Sequence, residues 1–160
     1  MNLYLVRHGD AEKTQPGKRD EDRRLIKEGR EQVKAAAGGW QYIINKLDLI
    51  CSSPYKRALE TAEIIAETFE YEKEIIKDRV LGAGCFTRDL ITLVNSLDVE
   101  NVMVVGHQPD LSEHVSNLIS ASGALVDFKK TAIAKISFNG KVNLSKGYLE
   151  YLVPVDAFLK

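Results

Sequence analysis

Three stretches of the chain carry side chains suited to chemistry at a phosphoryl group: Arg7-His8-Gly9, Ser52-Ser53-Pro54 with Arg57 one turn later, and Gly106-His107. A neutral imidazole is a nucleophile and a protonated one is a donor; its unperturbed pKa near 6.5 lets the surroundings choose. The guanidinium fork of arginine matches phosphoryl oxygens with paired, charge-assisted hydrogen bonds. Two imidazoles and two guanidiniums around one phosphorus would hold a phosphate ester or amide and displace its partner group. That chemistry requires the three stretches to meet in space.

The elements around them are of a kind that would bring them together. Residues 3–6 form a short continuous apolar run, as expected of a strand buried on both faces. Residues 11–24 are polar and read as loop. From 25 to about 45, Ile26, Val33, Ala36, Ala37, Trp40, Ile43 and Ile44 fall at helical spacing. Gly38-Gly39 weakens that helix by about 1 kcal/mol each relative to alanine. Residues 47–51 read as a second strand. Ser53 reads as N-cap and Pro54 as first residue of a helix running through Phe69.

Further on, 74–77 is a weaker strand pattern and 87–97 a helix. Residues 102–105 make the clearest internal strand, and a helix opens at Pro109 and reaches about Ala121. Residues 133–138, the turn signal Asn139-Gly140 and 141–144 read as a β-hairpin, with 148–153 as a last strand.

Strands alternating with helices imply an α/β fold. The expectation is a three-layer sandwich with a mostly parallel central sheet, helices on both faces and an antiparallel edge near the C-terminus. One domain spanning 1–160 suits this length. A chain of this size buries roughly 68–70% of its unfolded surface, so it needs no metal or disulfide to fold. In open α/β sheets ligands lie beyond the carboxyl ends of the strands. The residues just after Val6, Cys51 and Val105 should therefore converge, and Arg57 in a first helical turn adds the positive end of a helix dipole.

Bulk properties remove several alternatives. Hydrophobic residues make up 44% and charged residues 28%, so disorder is not expected. A net charge of −1 offers no field for nucleic acid or acidic membrane, so anion binding must come from a local cluster. No apolar run approaches the roughly 20 residues of a membrane span, and no signal-peptide core is present. Cys51 and Cys85 have no metal-type spacing, and Cys51 reads as a small core hydrophobe. A cytoplasmic protein without metal or cofactor is expected.

Other features have plain readings. His114 lies within a helix as a surface or half-buried residue. The acids Asp20-Glu21-Asp22, set among arginines, read as a solvated face. Gly82-Ala83-Gly84 lacks the third glycine of a dinucleotide loop. Ser52 and Ser53 lack a Gly-x-Ser-x-Gly elbow, and Trp40 reads as packing.

Taken in order, Arg7-His8-Gly9, the segment Ser53-Pro54-Tyr55-Lys56-Arg57-Ala58-Leu59-Glu60-Thr61 and Gly106-His107 resemble the histidine phosphatase superfamily. Within it, Arg7-His8-Gly9-Asp10-Ala11 is similar to the opening of the short SixA-type phosphohistidine phosphatases. Arg23-x-Leu25-x-x-x-Gly29 resembles their Arg-Pro-Leu-Thr-x-x-Gly, with Arg24 for the proline and Ile26 for the threonine. Thr131-Ala132-Ile133-Ala134 resembles a segment near their C-terminus. The similarity spans nearly the whole chain, and it implies a phosphoglycerate-mutase-like fold without the helical lid of larger members.

The resemblance also implies roles. His8, neutral, would attack phosphorus and be transiently phosphorylated. Arg7, Arg57 and a protonated His107 would hold the equatorial oxygens. Arg23 and Gly9 would contribute to binding. Family members acting on alcohols carry an acid after the third strand; here only Asp78 and Asp89 are near, and a P–N bond needs less help. A phosphohistidine-bearing protein is therefore the expected substrate. A small-molecule phosphomonoesterase acting on sugar phosphates or nucleotides stays open, as does a non-catalytic phosphohistidine-binding module.

Overall fold

Strand β1, Asn2–Arg7, lies inside a six-stranded sheet and is buried on both faces, as a continuous apolar run requires. The structure, a computed structural model, describes residues 1–159. After β1 come α1 (Lys27–Trp40), β2 (Leu49–Ser52), α2 (Lys56–Thr68) and β3 (Ile76–Lys77). Then follow α3 (Thr87–Ser96), β4 (Asn101–Gly106), α4 (Asp110–Ile119), β5 (Ile133–Ser137) and β6 (Tyr148–Val153).

The sheet order is β3-β2-β4-β1-β5-β6. The pairs β2–β3, β2–β4 and β1–β4 are parallel, whereas β1–β5 and β5–β6 are antiparallel. This is the expected α/β sandwich with an antiparallel edge. Alternate strand residues feed opposite layers. Leu3, Leu5, Val102 and Val104 pack with Leu90 and Val94 of α3 and Leu111, Val115 and Leu118 of α4. Tyr4, Val6, Met103 and Val105 pack with Val33 and Trp40 of α1 and Ala58, Ala62 and Ile65 of α2. Each fully buried large side chain contributes roughly 1.5–3 kcal/mol, so strand placement is held from both sides. No helix of the described residues is long and apolar enough to cross a membrane.

Two of the three glycines in α1 are explained by close approach. A Cβ on Gly29 would stand 2.2 Å from the Asp10 carbonyl oxygen, and one on Gly39 would stand 2.1 Å from the Phe158 ring. The first contact seats α1 against the turn that follows β1, where Ile26 N–H donates to Asp10 O.

The expected hairpin over 133–144 does not form. The strand that returns along β5 is β6, and 141–144 is loop. The reason is competition for backbone groups: Val142 N–H and C=O are both taken by the Asn95 side chain, at 2.9 Å each. Gly147 N–H donates to Leu118 O, which fastens the same loop to α4. At the turn only Gly140 has positive φ, whereas a type I′ turn needs two such residues.

Candidate active site

The chain leaves β1 at Arg7, β4 at Gly106 and β2 at Ser52, and these strands are neighbours in the order β2-β4-β1. Ladder-like bonds continue past the strand ends: His8 N–H donates to Gly106 O at 3.2 Å and Ser53 N–H to Val105 O at 3.0 Å. The rings of His8 and His107 consequently lie 5.2 Å apart, tilted by 57°. His8 is 8% exposed, His107 2% and Arg57 4%.

The hydrogen bonds assign the His8 tautomer. Nδ1 lies 2.8 Å from Gly9 O, a carbonyl that can only accept, so Nδ1 carries the proton. Nε2 keeps its lone pair and accepts from Arg57 Nε at 3.1 Å. Gly9 N–H donates to Thr61 Oγ1, whose hydroxyl donates to Arg57 O at 2.7 Å. Thr61 thus ties the turn carrying His8 to the first turn of α2. A Cβ on Gly9 would press into Val33 at 2.7 Å, so the turn that orients His8 through the Gly9 carbonyl packs closely on α1.

His107 Nε2 lies 2.7 Å from Ser53 Oγ, which also accepts from Tyr55 N–H at 3.2 Å. Ser53 therefore does not cap α2 as expected. Its hydroxyl closes a tighter turn and braces His107, and the helix begins at Lys56. The Tyr55 ring lies 4.9 Å from the His107 ring and 5.2 Å from the Arg57 guanidinium carbon. His107 Nδ1 is buried without a partner among the described residues. Arg7 Nη1 donates to Phe128 O at 2.9 Å, while its buried Nε has no partner.

Burial pushes His8 down to about 4, with the charges of Arg57, Arg7 and Arg23 acting in the same direction. Burial likewise pushes His107 down to about 3, aided by His8 and Arg57. The expectation of one neutral and one protonated ring gives way to two neutral rings at pH 7. The cause is that both share one dry, cationic pocket. A phosphoryl dianion placed between them would raise both, because its charge favours the imidazolium forms.

Arg23 does reach this region: its Nε donates to Glu12 O at 2.5 Å and its Nη1 to Asp20 Oδ1 at 2.7 Å. The same Asp20 receives Arg57 Nη1 on its carbonyl at 2.7 Å and Arg57 Nη2 on Oδ2 at 2.8 Å. Asp20 thus reaches the site from an exposed turn. Its partner is 37 residues away, and nothing local marks it among three consecutive acids.

Asp78 instead accepts from Val80 N–H at 2.8 Å, starting a short 3-10 turn, and Asp89 is exposed in the first turn of α3. His114 is 2% exposed with Nδ1 against Thr87 Oγ1, deeper than expected. Its spacing from Leu111, Val115 and Leu118 placed it on the buried stripe, a signal that was readable.

Paired imidazoles and guanidiniums at the strand ends of this fold form a cradle suited to a phosphoryl group, as in a phosphatase. The sequence profile of the histidine phosphatase superfamily (branch 1) matches residues 3–81. A phosphohistidine phosphatase SixA homolog of Haemophilus influenzae is 28% identical over 151 residues, covering 88% of this chain and 90% of its own. The solved structure of the protein histidine phosphatase SixA complexed with tungstate superposes with a TM-score of 0.87 at 19% identity, covering 98% of this chain and 99% of that one. A phosphoserine phosphatase of Entamoeba histolytica superposes with a TM-score of 0.75 at 18% identity, covering 99% of each chain. Residues 3–81 thus match the histidine phosphatase superfamily, and over most of its length the chain is similar to SixA-type proteins.

Proposed function

We propose that the protein hydrolyses phosphohistidine displayed on another protein, through a phosphohistidine formed on His8. The observation that carries this reading is the His8 tautomer, with Nδ1–H tied to Gly9 O and the Nε2 lone pair turned to Arg57. In the first step Nε2 bonds to phosphorus as the substrate's P–N bond breaks. The far nitrogen of the substrate ring titrates near neutrality, so it takes a proton from solvent and departs as neutral imidazole.

In the second step water attacks phosphorus and the P–Nε2 bond breaks. Orthophosphate leaves and the water's proton passes to solvent. His8 departs already neutral, because Nδ1 kept its proton throughout. Neither step asks for a protein acid. That fits Asp78 and Asp89, each engaged or exposed elsewhere.

Arg7, Arg57 and His107 hold the equatorial oxygens, where phosphoryl-transfer charge is spread. Losing one such donor costs roughly 10²–10³ in rate. The similarity to the Haemophilus phosphohistidine phosphatase SixA homolog supports the same substrate class.

The test is a panel of phosphohistidine protein, phosphoserine peptide and p-nitrophenyl phosphate, assayed with wild type and His8→Ala. Activity confined to phosphohistidine and abolished in the variant is the expected result. Turnover surviving in His8→Ala would overturn the nucleophile. Efficient turnover of the phosphoserine peptide would favour the second reading, a phosphomonoesterase, to which the likeness to the Entamoeba enzyme lends support.

A further inference from the structure

We infer that Asp20 is a tethered anion that competes with the incoming phosphoryl group for Arg57. The inference rests on the reading that Arg57 binds phosphoryl oxygens. Asp20 presents a carbonyl and one carboxylate oxygen to Arg57 Nη1 and Nη2, at 2.7 and 2.8 Å, and its other carboxylate oxygen to Arg23 Nη1 at 2.7 Å. An acid held between two guanidiniums makes the contacts a phosphate would make. Substrate and carboxylate cannot use the same guanidinium edge together.

Arg57 does not need Asp20 to stay in place. Its Nε is fixed on His8 Nε2, its guanidinium lies over Tyr55, and its side chain is 5% exposed. The competitor itself is lightly held. Asp20 sits on the three-residue 3-10 turn Asp20–Asp22, which buries no residue, and its side chain is 48% exposed. A segment with few buried apolar contacts opens at small cost. Asp20 is then a specificity-determining residue. It weakens binding of free orthophosphate and small esters, and favours substrates that bring additional contacts to displace it.

Competition of this kind reduces apparent affinity by the fraction of time the site is free. A half-exposed ion pair is worth up to about fivefold. The experiment is calorimetric titration of orthophosphate into wild type, Asp20→Ala, Asp20→Asn, Glu21→Gln and Arg57→Ala. Expected are tighter binding by up to about fivefold in Asp20→Ala, a gain also in Asp20→Asn, none in Glu21→Gln, and loss in Arg57→Ala. KM for p-nitrophenyl phosphate should fall in step in Asp20→Ala, without a fall in kcat.

Unchanged or weaker phosphate binding in both Asp20 variants would overturn the competition and make Asp20 a support for Arg57. An equal gain in Glu21→Gln would overturn it as well, by showing a general charge effect. Unchanged binding in Arg57→Ala would instead sink the role assigned to Arg57.

Discussion

Lowering the pH from 7 to 5 should remove about 5 kcal/mol of folding stability, mainly through the buried histidines. His8 and His114 are pushed down to about 4 and His107 to about 3, each first by burial. In the unfolded chain all three return to roughly 6.5. Below that value the unfolded state binds protons that the folded state refuses. The stability these rings permit is therefore complete above about 6.5 and is lost as pH falls toward their folded values.

At pH 5 each ring costs about 1.8 kcal/mol more than at pH 7, from the ratio of the two binding curves. Carboxylates such as Asp20 and Asp48, lowered by their hydrogen-bonding partners, lose their contribution only below this window. Urea unfolding followed by far-ultraviolet circular dichroism in phosphate-free buffer reads the difference directly. The melting temperature should drop by roughly 10–20 °C. His114→Gln, outside the proposed site, should weaken the pH dependence by about a third. Equal stability at pH 7 and pH 5 would refute the reasoning, as would a His114→Gln curve parallel to wild type.

Two substitutions test how the scaffold holds the site. Gly29→Ala should destabilise by about 3 kcal/mol despite alanine's better helix propensity, because the new carbon meets the Asp10 backbone at 2.2 Å. A thermal melt at or above the wild-type midpoint would contradict this. Thr61→Val keeps the shape but strands the Gly9 N–H, at a cost of about 1–3 kcal/mol. It should also lower kcat, since Gly9 O orients His8; a fall in stability with kcat intact would separate the two effects.

The sheet was largely legible in the sequence. Residues 3–6 and 102–105 are apolar without alternation because strands covered on both faces have no wet side, and that pattern survives any detail of packing. Once they are neighbours, the meeting of His8 and His107 follows from strand direction alone. What escaped was decided by long-range competition. Val142 could have paired in a hairpin, but Asn95 on α3 offered both a donor and an acceptor to its backbone. Ser53 had every local mark of a helix cap, and His107 claimed its hydroxyl. Asp20 looked like its neighbours Glu21 and Asp22 because its distinction is a partner on α2. The neutral state of His107 in the free site is not legible residue by residue, because its pKa belongs to the whole pocket.

The two rings follow adjoining strands, and adjoining strands stand about 4.8 Å apart in any sheet. Their 5.2 Å interval is thus gauged by peptide hydrogen bonds, a ruler that amino-acid replacement hardly stretches. The stretches 12–24 and 78–86 lie off that ruler. Exposed positions there can change without moving the strands that carry the two imidazoles, which leaves the ring backbone and the surrounding rim separately editable in this fold.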